Sequence, residues 1–162
     1  LTSGQLTLQE AYDELLRLKN KCLPYNKKQL TIAATLSAPF FSIMLGGNFY
    51  DALGAAVATF FGFTFSLYAE KYVRIPFVTA FAGAFVFGLL AQAWARYSGF
   101  NSTADLIIAG SVMPFVPGIA LTNAVRDIMT NHINSGMSKL FDSLLITLAL
   151  GAGTSVALVL MK

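Results

Sequence analysis

Charge is absent from five long stretches of this chain. No Asp, Glu, Lys or Arg occurs in 29–50, 52–69, 75–95, 106–125 or 143–161. Each stretch comes close to the roughly 20 apolar residues that a helix needs to cross a bilayer core. The pattern predicts five transmembrane helices, at about 29–48, 50–69, 75–97, 104–125 and 140–161, with a tight Gly46-Gly47 turn after the first. The fold class that follows is all-α, a polytopic membrane protein.

Ahead of the first span the period changes. Thr7-Leu-Gln-Glu10 reads as a capping box, and Leu8, Ala11, Tyr12, Leu15 and Leu18 then form one apolar stripe opposite Gln9, Asp13, Glu14 and Arg17. This predicts a short cytoplasmic amphipathic helix, broken by Leu23-Pro-Tyr-Asn-Lys-Lys28. The expected organisation is therefore an amphipathic helix and linker over 1–28, then a five-helix membrane domain over 29–162. The start at Leu1, without Met or a signal-peptide pattern, predicts that the chain has been trimmed and that a further region precedes it.

Each predicted span also carries small or polar residues four apart. They are Ala34, Ala38, Ser42 and Gly46; Gly54, Ala58, Gly62 and Ser66; Ala80, Ala84 and Gly88, continuing to Gln92 and Arg96; Gly110, Pro114, Gly118 and Thr122; and Ser143, Thr147, Gly151 and Ser155. Such stripes let helix backbones approach closely in lipid, where no hydrophobic drive brings helices together. Together they predict a compact bundle rather than five independent anchors. The phenylalanines from Phe60 to Phe87 are expected to face lipid or fill that packing.

Composition agrees: 56% of the residues are hydrophobic and 12% charged, about half the charged share of a soluble domain. The net charge of +3 carries no nucleic-acid signal; its content lies in where the basic residues fall. Arg17, Lys19, Lys21, Lys27, Lys28, Lys71, Arg74, Arg126 and Lys139 lie on one predicted side, and Arg96 and Lys162 on the other. Nine against two predicts a cytoplasmic N-terminus and a C-terminus outside. The lone Cys22 rules out an internal disulfide.

The chemistry concentrates in Ser111-Val-Met-Pro-Phe-Val-Pro-Gly-Ile-Ala-Leu-Thr-Asn-Ala-Val-Arg-Asp127. A membrane helix that keeps Pro114, Pro117, Gly118, Asn123, Arg126 and Asp127 must find partners for freed carbonyls and for charges. Asn123, Arg126, Asp127 and Thr130 are spaced three, four and seven apart, on one helical face. One reading is a helix end at the cytoplasmic interface, with Arg126 snorkelling and Asp127 hydrated or paired. The other is a polar site lining a cavity, with Arg126 pairing a carboxylate and Asp127 carrying a proton. If the helix breaks at Pro114–Gly118, residues 118–130 become a half-helix whose free N–H groups point into the bundle, a common anion-holding device in transporters. If the prolines only kink the helix, that device is absent.

Asp51 and Asp105 are expected to cap outer helix starts, and Asp142 to pair with Lys139 three residues before it. A single histidine, His132, without cysteine or carboxylate at ligand spacing predicts no metal site. No Ser/His/Asp arrangement, Cys/His pair, phosphate loop or dinucleotide fingerprint occurs, so neither an enzyme nor a cofactor is predicted.

The run Val116-Pro-Gly-Ile-Ala-Leu-Thr-Asn-Ala-Val-Arg-Asp127, followed by His132-Ile-Asn-Ser-Gly136 and a final apolar helix, resembles the bacterial threonine/serine exporter family, which includes a two-component succinate-exporter branch. The resemblance implies a soluble region before the first span and a transport unit of two five-helix halves, of which this chain is the first. It implies a second five-span subunit as partner, with higher oligomers possible. The family motif maps onto Pro117, Gly118, Asn123 and Asp127, with His132, Asn134 and Gly136 as a following loop. The expected function is a proton-coupled secondary exporter of serine, threonine or succinate. Pro117, Gly118, Thr122, Asn123 and Arg126 would bind substrate, and Asp127 would couple to protons. A non-transporting scaffold subunit and a passive channel are the alternatives.

Overall fold

A computed structural model of the chain describes residues 26–98 and 102–161. The amphipathic helix expected near Thr7–Glu10 lies outside the described residues. The chain divides into a first unit, Leu1–Leu30, and a second, Thr31–Lys162; the packing below is that of the second. Every described element is helical: α1 (Lys27–Met44), α2 (Phe49–Tyr72), α3 (Pro76–Tyr97), α4 (Ala104–Val112), a 3₁₀ turn (Met113–Phe115), α5 (Gly118–Met129) and α6 (Ile133–Leu160).

Local chemistry sets the helix ends. α1 closes in a Schellman turn: Gly46 N–H donates to the Ile43 carbonyl and Gly47 N–H to that of Ser42. Gly46 takes φ +97°, a left-handed conformation that glycine adopts without steric cost. α2 starts with a capping box, Asn48 N–H donating to Asp51 Oδ2 at 2.8 Å. Asp51 also accepts from Thr103 N–H at 2.9 Å through Oδ1, so this fully buried carboxylate ties the start of α2 to the start of α4. Capping at Asp51 is as expected; the tie across to α4 is additional. Pro76 opens α3, where a missing N–H costs nothing.

α3 is the central helix, packed on α2, α4 and α6. The interfaces are built from small residues. A Cβ at Gly62 would sit 3.0 Å from the Gly83 carbonyl oxygen, and one at Gly88 would sit 2.8 Å from Ala157 Cβ. A Cβ at Gly110 would sit 2.8 Å from the Ala38 carbonyl oxygen, which brings α4 against α1. Two hydrogen bonds from side chain to backbone add to this: Ser66 Oγ to the Thr79 carbonyl and Ser111 Oγ to that of Ala55. The fully buried residues are mostly alanine, with Phe87, Ile107 and Leu150 the largest. Large apolar side chains such as Phe40, Phe49, Leu148 and Val159 lie outside. Bulk outward and small residues inward is what lipid requires, since close backbone approach is the source of attraction there. Among the phenylalanines, Phe60, Phe61, Phe65 and Phe77 are exposed while Phe87 is fully buried.

The expected stripes on α1 to α3 face inward at Ala34, Ala38, Ser42, Gly54, Ala58, Gly62, Ala80, Ala84 and Gly88. On α6 the expected stripe is corrected. Ser143 is buried, but Thr147, Gly151 and Ser155 are exposed, and Ala149, Gly153 and Ala157 make the contact with α3 instead.

Among the described residues three helices, α2, α3 and α6, are long and apolar enough to cross a membrane, and the bent pair of α4 with α5 can form a fourth span. α1 falls short of that measure: its 18 residues open on Lys27-Lys28-Gln29 and contain Pro39.

Candidate functional site

The fourth apolar stretch is broken rather than kinked. The helix gives way to the 3₁₀ turn at Met113–Phe115, and the axes of Ala104–Phe115 and Gly118–Met129 differ by 56°. Proline explains the break, since Pro114 and Pro117 each remove an N–H from the ladder. Pro117 has φ −77° and ψ 58°, with Gly118 N–H donating to the Val116 carbonyl at 2.8 Å; this is an inverse γ-turn. Phe115 pins the break to the bundle. Its ring packs on Phe63 of α2 and Phe87 of α3, at centroid distances of 5.4 and 5.3 Å.

α5 then runs against α6, and the fit depends on Gly136. A Cβ there would lie 2.8 Å from the Ala124 carbonyl oxygen and 2.6 Å from Ile128 Cγ1. The turn between the two helices is a second Schellman motif. Asn131 N–H donates to the Ile128 carbonyl and His132 N–H to that of Asp127, with Asn131 at φ 66°. α6 begins at Ile133, so His132 caps it while Asn134 and Gly136 lie in its first turns. The expected loop motif is therefore corrected to a turn and a helix start. Asn131 supplies the reversal that lets the helix begin so soon.

Asp127 is where the two helices meet electrostatically. Its Oδ2 accepts Lys139 Nζ at 2.6 Å and Ser135 Oγ at 3.2 Å, both from α6. The expected pairing of Lys139 with Asp142 is thus corrected: Lys139 reaches across the hairpin instead. Thr130 Oγ1 donates to the Arg126 and Asp127 carbonyls and lies 3.2 Å from His132 Nδ1, closing the C-terminal end of α5. Asn123 and Arg126 are exposed on the same helix, with no side-chain partner among the described residues, and Thr122 Oγ1 bonds back to the Ile119 carbonyl. Asn134 is exposed.

The N-terminus of α5 does not point into the packed bundle of this chain. Gly118 is exposed with no atom within 4 Å of a Cβ placed on it, and Ile119 is 80% exposed. The N–H groups of Ile119 and Ala120 have no intrahelical acceptor. The structure brings Asp127, His132 and Gly136 together at the hairpin, and leaves Pro117, Gly118, Thr122, Asn123 and Arg126 along an open face. Ser135 and Lys139 are partners of Asp127 that sequence reasoning missed. The signal was present: four apart, they flank Gly136 on one face of a helix that starts at Ile133. Among the described residues no three of His, Cys, Asp and Glu gather closely enough to hold a metal ion.

Over residues 1–161 the chain matches the family model described as "Putative threonine/serine exporter". It is 32% identical over 146 residues to the "Probable succinate transporter subunit YjjP" of Klebsiella aerogenes, covering 85% of this chain and 54% of that protein. The YjjP protein of Escherichia coli, named in the same words, is 38% identical over 111 residues, 64% of this chain and 42% of that protein. A "Probable threonine/serine exporter" of Mycobacterium tuberculosis is 23% identical over 158 residues, 98% of this chain and 30% of that protein. The chain spans about half the length of the YjjP relatives it matches. No solved structure matches it. With apolar helices of spanning length and a family match along nearly its whole extent, the chain is a multi-pass membrane protein and belongs to the threonine/serine exporter family.

Proposed function

We propose that this chain is one subunit of a secondary exporter for small carboxylate-bearing metabolites, serine or threonine first and succinate close behind, driven by protons. The observation that carries the reading is the 56° break between α4 and α5. It interrupts a membrane helix pair, frees two N–H groups at a helix N-terminus and follows them with Asn123, Arg126 and Asp127. Half-helix termini of this kind hold anionic substrate groups in transporters. In this reading the Pro117–Gly118 turn, Thr122, Asn123 and Arg126 bind the substrate, and Asp127 carries the proton. His132 and Gly136 set the turn that holds Asp127 against α6, and Asn134 lies beside them. Protonating Asp127 removes its charge from the Lys139 pair, which gives the proton a structural consequence.

Because the candidate face is open in this chain, the substrate path requires a second surface. We assign that surface to a second five-span subunit, in keeping with the word "subunit" in the names of the YjjP relatives. The exposed Thr147, Gly151 and Ser155 of α6 offer a small-residue face for helix–helix contact with it. In a five-span arrangement α1 also crosses the bilayer, supported by the exposed Ile32, Leu36, Phe40 and Ile43 on its outer face. The N-terminus then lies in the cytoplasm and the C-terminus outside the inner membrane, by the distribution of Lys and Arg.

The test is efflux of labelled serine, threonine and succinate from vesicles containing the complete protein and its partner, with and without a pH gradient. Gradient-dependent efflux of one substrate, lost in Asp127→Asn, is the expected result. Asp127→Asn retaining both efflux and its pH dependence removes the proton role. Flux that ignores the gradient indicates a channel, and none from a verified complex indicates a scaffold.

A further inference from the structure

The end of the α5–α6 hairpin joins Asp127 of α5 to Ser135 and Lys139 of α6, with His132 in the turn between them. Lys139 and Ser135 both bond one oxygen of Asp127, its Oδ2. Asp127 Oδ1 has no partner among the described residues, and neither Arg126 nor Asp142 has an ion pair there. Lys139 carries three N–H donors on a flexible stem and uses one of them on Asp127. Its side chain is 49% exposed.

The hairpin does not depend on this ion pair. Gly136 seats against the Ala124 and Ile128 backbone, and the Asn131 turn satisfies the last carbonyls of α5. An ion pair this open to solvent also contributes little to stability. A charged contact that the fold can spare is suited to exchange. A metabolite carboxylate presents Lys139 with the same acceptor as Asp127 does.

Resting on the exporter reading above, we propose that Lys139 is a carboxylate-binding residue whose ammonium Asp127 occupies in the absence of substrate. The carboxylate of serine, threonine or succinate takes the position of Asp127 Oδ2 on Lys139 as a station on its path, separate from the α5 N-terminus about 13 Å away along the helix. Asp127 is thus a built-in competitor, and Ser135 keeps it close enough to return.

The test is binding of labelled succinate, serine and threonine to the complete protein with its partner in lipid nanodiscs at fixed ionic strength. Removing the competitor in Asp127→Asn is expected to tighten binding roughly two- to fivefold, the range a solvent-exposed charge contact supports. Lys139→Met weakens binding by at least as much, and Lys139→Arg retains it. A merely structural contact predicts the same direction of change in Asp127→Asn and Lys139→Met, and that result overturns the proposal. If Lys139→Met does not assemble, Asp127→Asn decides alone, and unchanged or weaker binding overturns it. Wild-type protein that binds none of the three probes removes the exporter reading itself. Wild-type binding with both variants moving together removes only the role of Lys139.

Discussion

Gly151 and Gly153 are two residues apart on α6 and face opposite ways, so the same change at each should have opposite effects. A Cβ at Gly153 would lie 2.5 Å from the Phe81 carbonyl oxygen, 2.9 Å from Ala84 Cβ and 3.1 Å from Phe85 N. Two of these three atoms are α3 backbone, which cannot rotate away. To restore an ordinary contact of 3.4 Å the helices must part by 3.4 − 2.5 = 0.9 Å at the centre of the bundle. Overpacking of this kind costs about 1–3 kcal/mol, while the gain in helix propensity from Gly to Ala is about 1 kcal/mol. Gly153→Ala should therefore be destabilising by up to about 2 kcal/mol, the clash outweighing the propensity gain. At Gly151 nothing lies within 4 Å, so Gly151→Ala keeps the propensity gain and should stabilise by about 0.5–1 kcal/mol. Equilibrium unfolding of the purified protein in mixed micelles with rising SDS, followed by circular dichroism, measures both. Gly153→Ala stabilised to the same extent as Gly151→Ala would refute the assignment of this face to α3. Equal losses at both positions would show that Gly151 is packed as tightly as Gly153.

Three further outcomes follow from single contacts. Asn131→Ala places a Cβ residue without a turn-favouring side chain at φ 66° and should cost about 1 kcal/mol, whereas Asn131→Gly is tolerated; hydrogen exchange at the His132 amide reports the difference. Asp51→Asn leaves an amide where a buried carboxylate accepts from both Asn48 and Thr103 N–H, and should cost about 1–3 kcal/mol in the same unfolding assay, with no change expected if Asp51 is only a local cap exposed to water. Gly110→Leu forces α4 away from the Ala38 carbonyl and should expose α1 to proteolysis while leaving α2, α3 and α6 protected; an unchanged cleavage pattern would count against the α1–α4 contact.

The sequence by itself determined those features that depend on a residue and its immediate neighbours. Charge-free length marked α2, α3 and α6 as spans because transfer into hydrocarbon is decided segment by segment. The turn at Gly46, the cap at Asp51 and an interruption at Pro114–Gly118 were legible for the same reason, since glycine, a carboxylate at a helix start and proline act within a few residues, but whether that interruption was a break or a kink was not. α1 was less legible, since its polar start and Pro39 leave it short of an unambiguous span.

The tertiary structure decided everything that turns on which face meets which. α6 carries small residues both at Ser143, Thr147, Gly151 and Ser155 and at Ala149, Gly153 and Ala157, and only the shape of α3 selects the second set. In a soluble helix polar residues would mark the outer face, but in lipid the outer face is apolar as well, so periodicity loses its contrast. The choice of Lys139 for Asp127 rather than for Asp142 follows equally from packing. It requires α5 to close on α6 at Gly136, and that requires Asn131 to reverse the chain so that α6 can begin at Ile133. Each step is a contact between segments, which spacing along the chain does not encode.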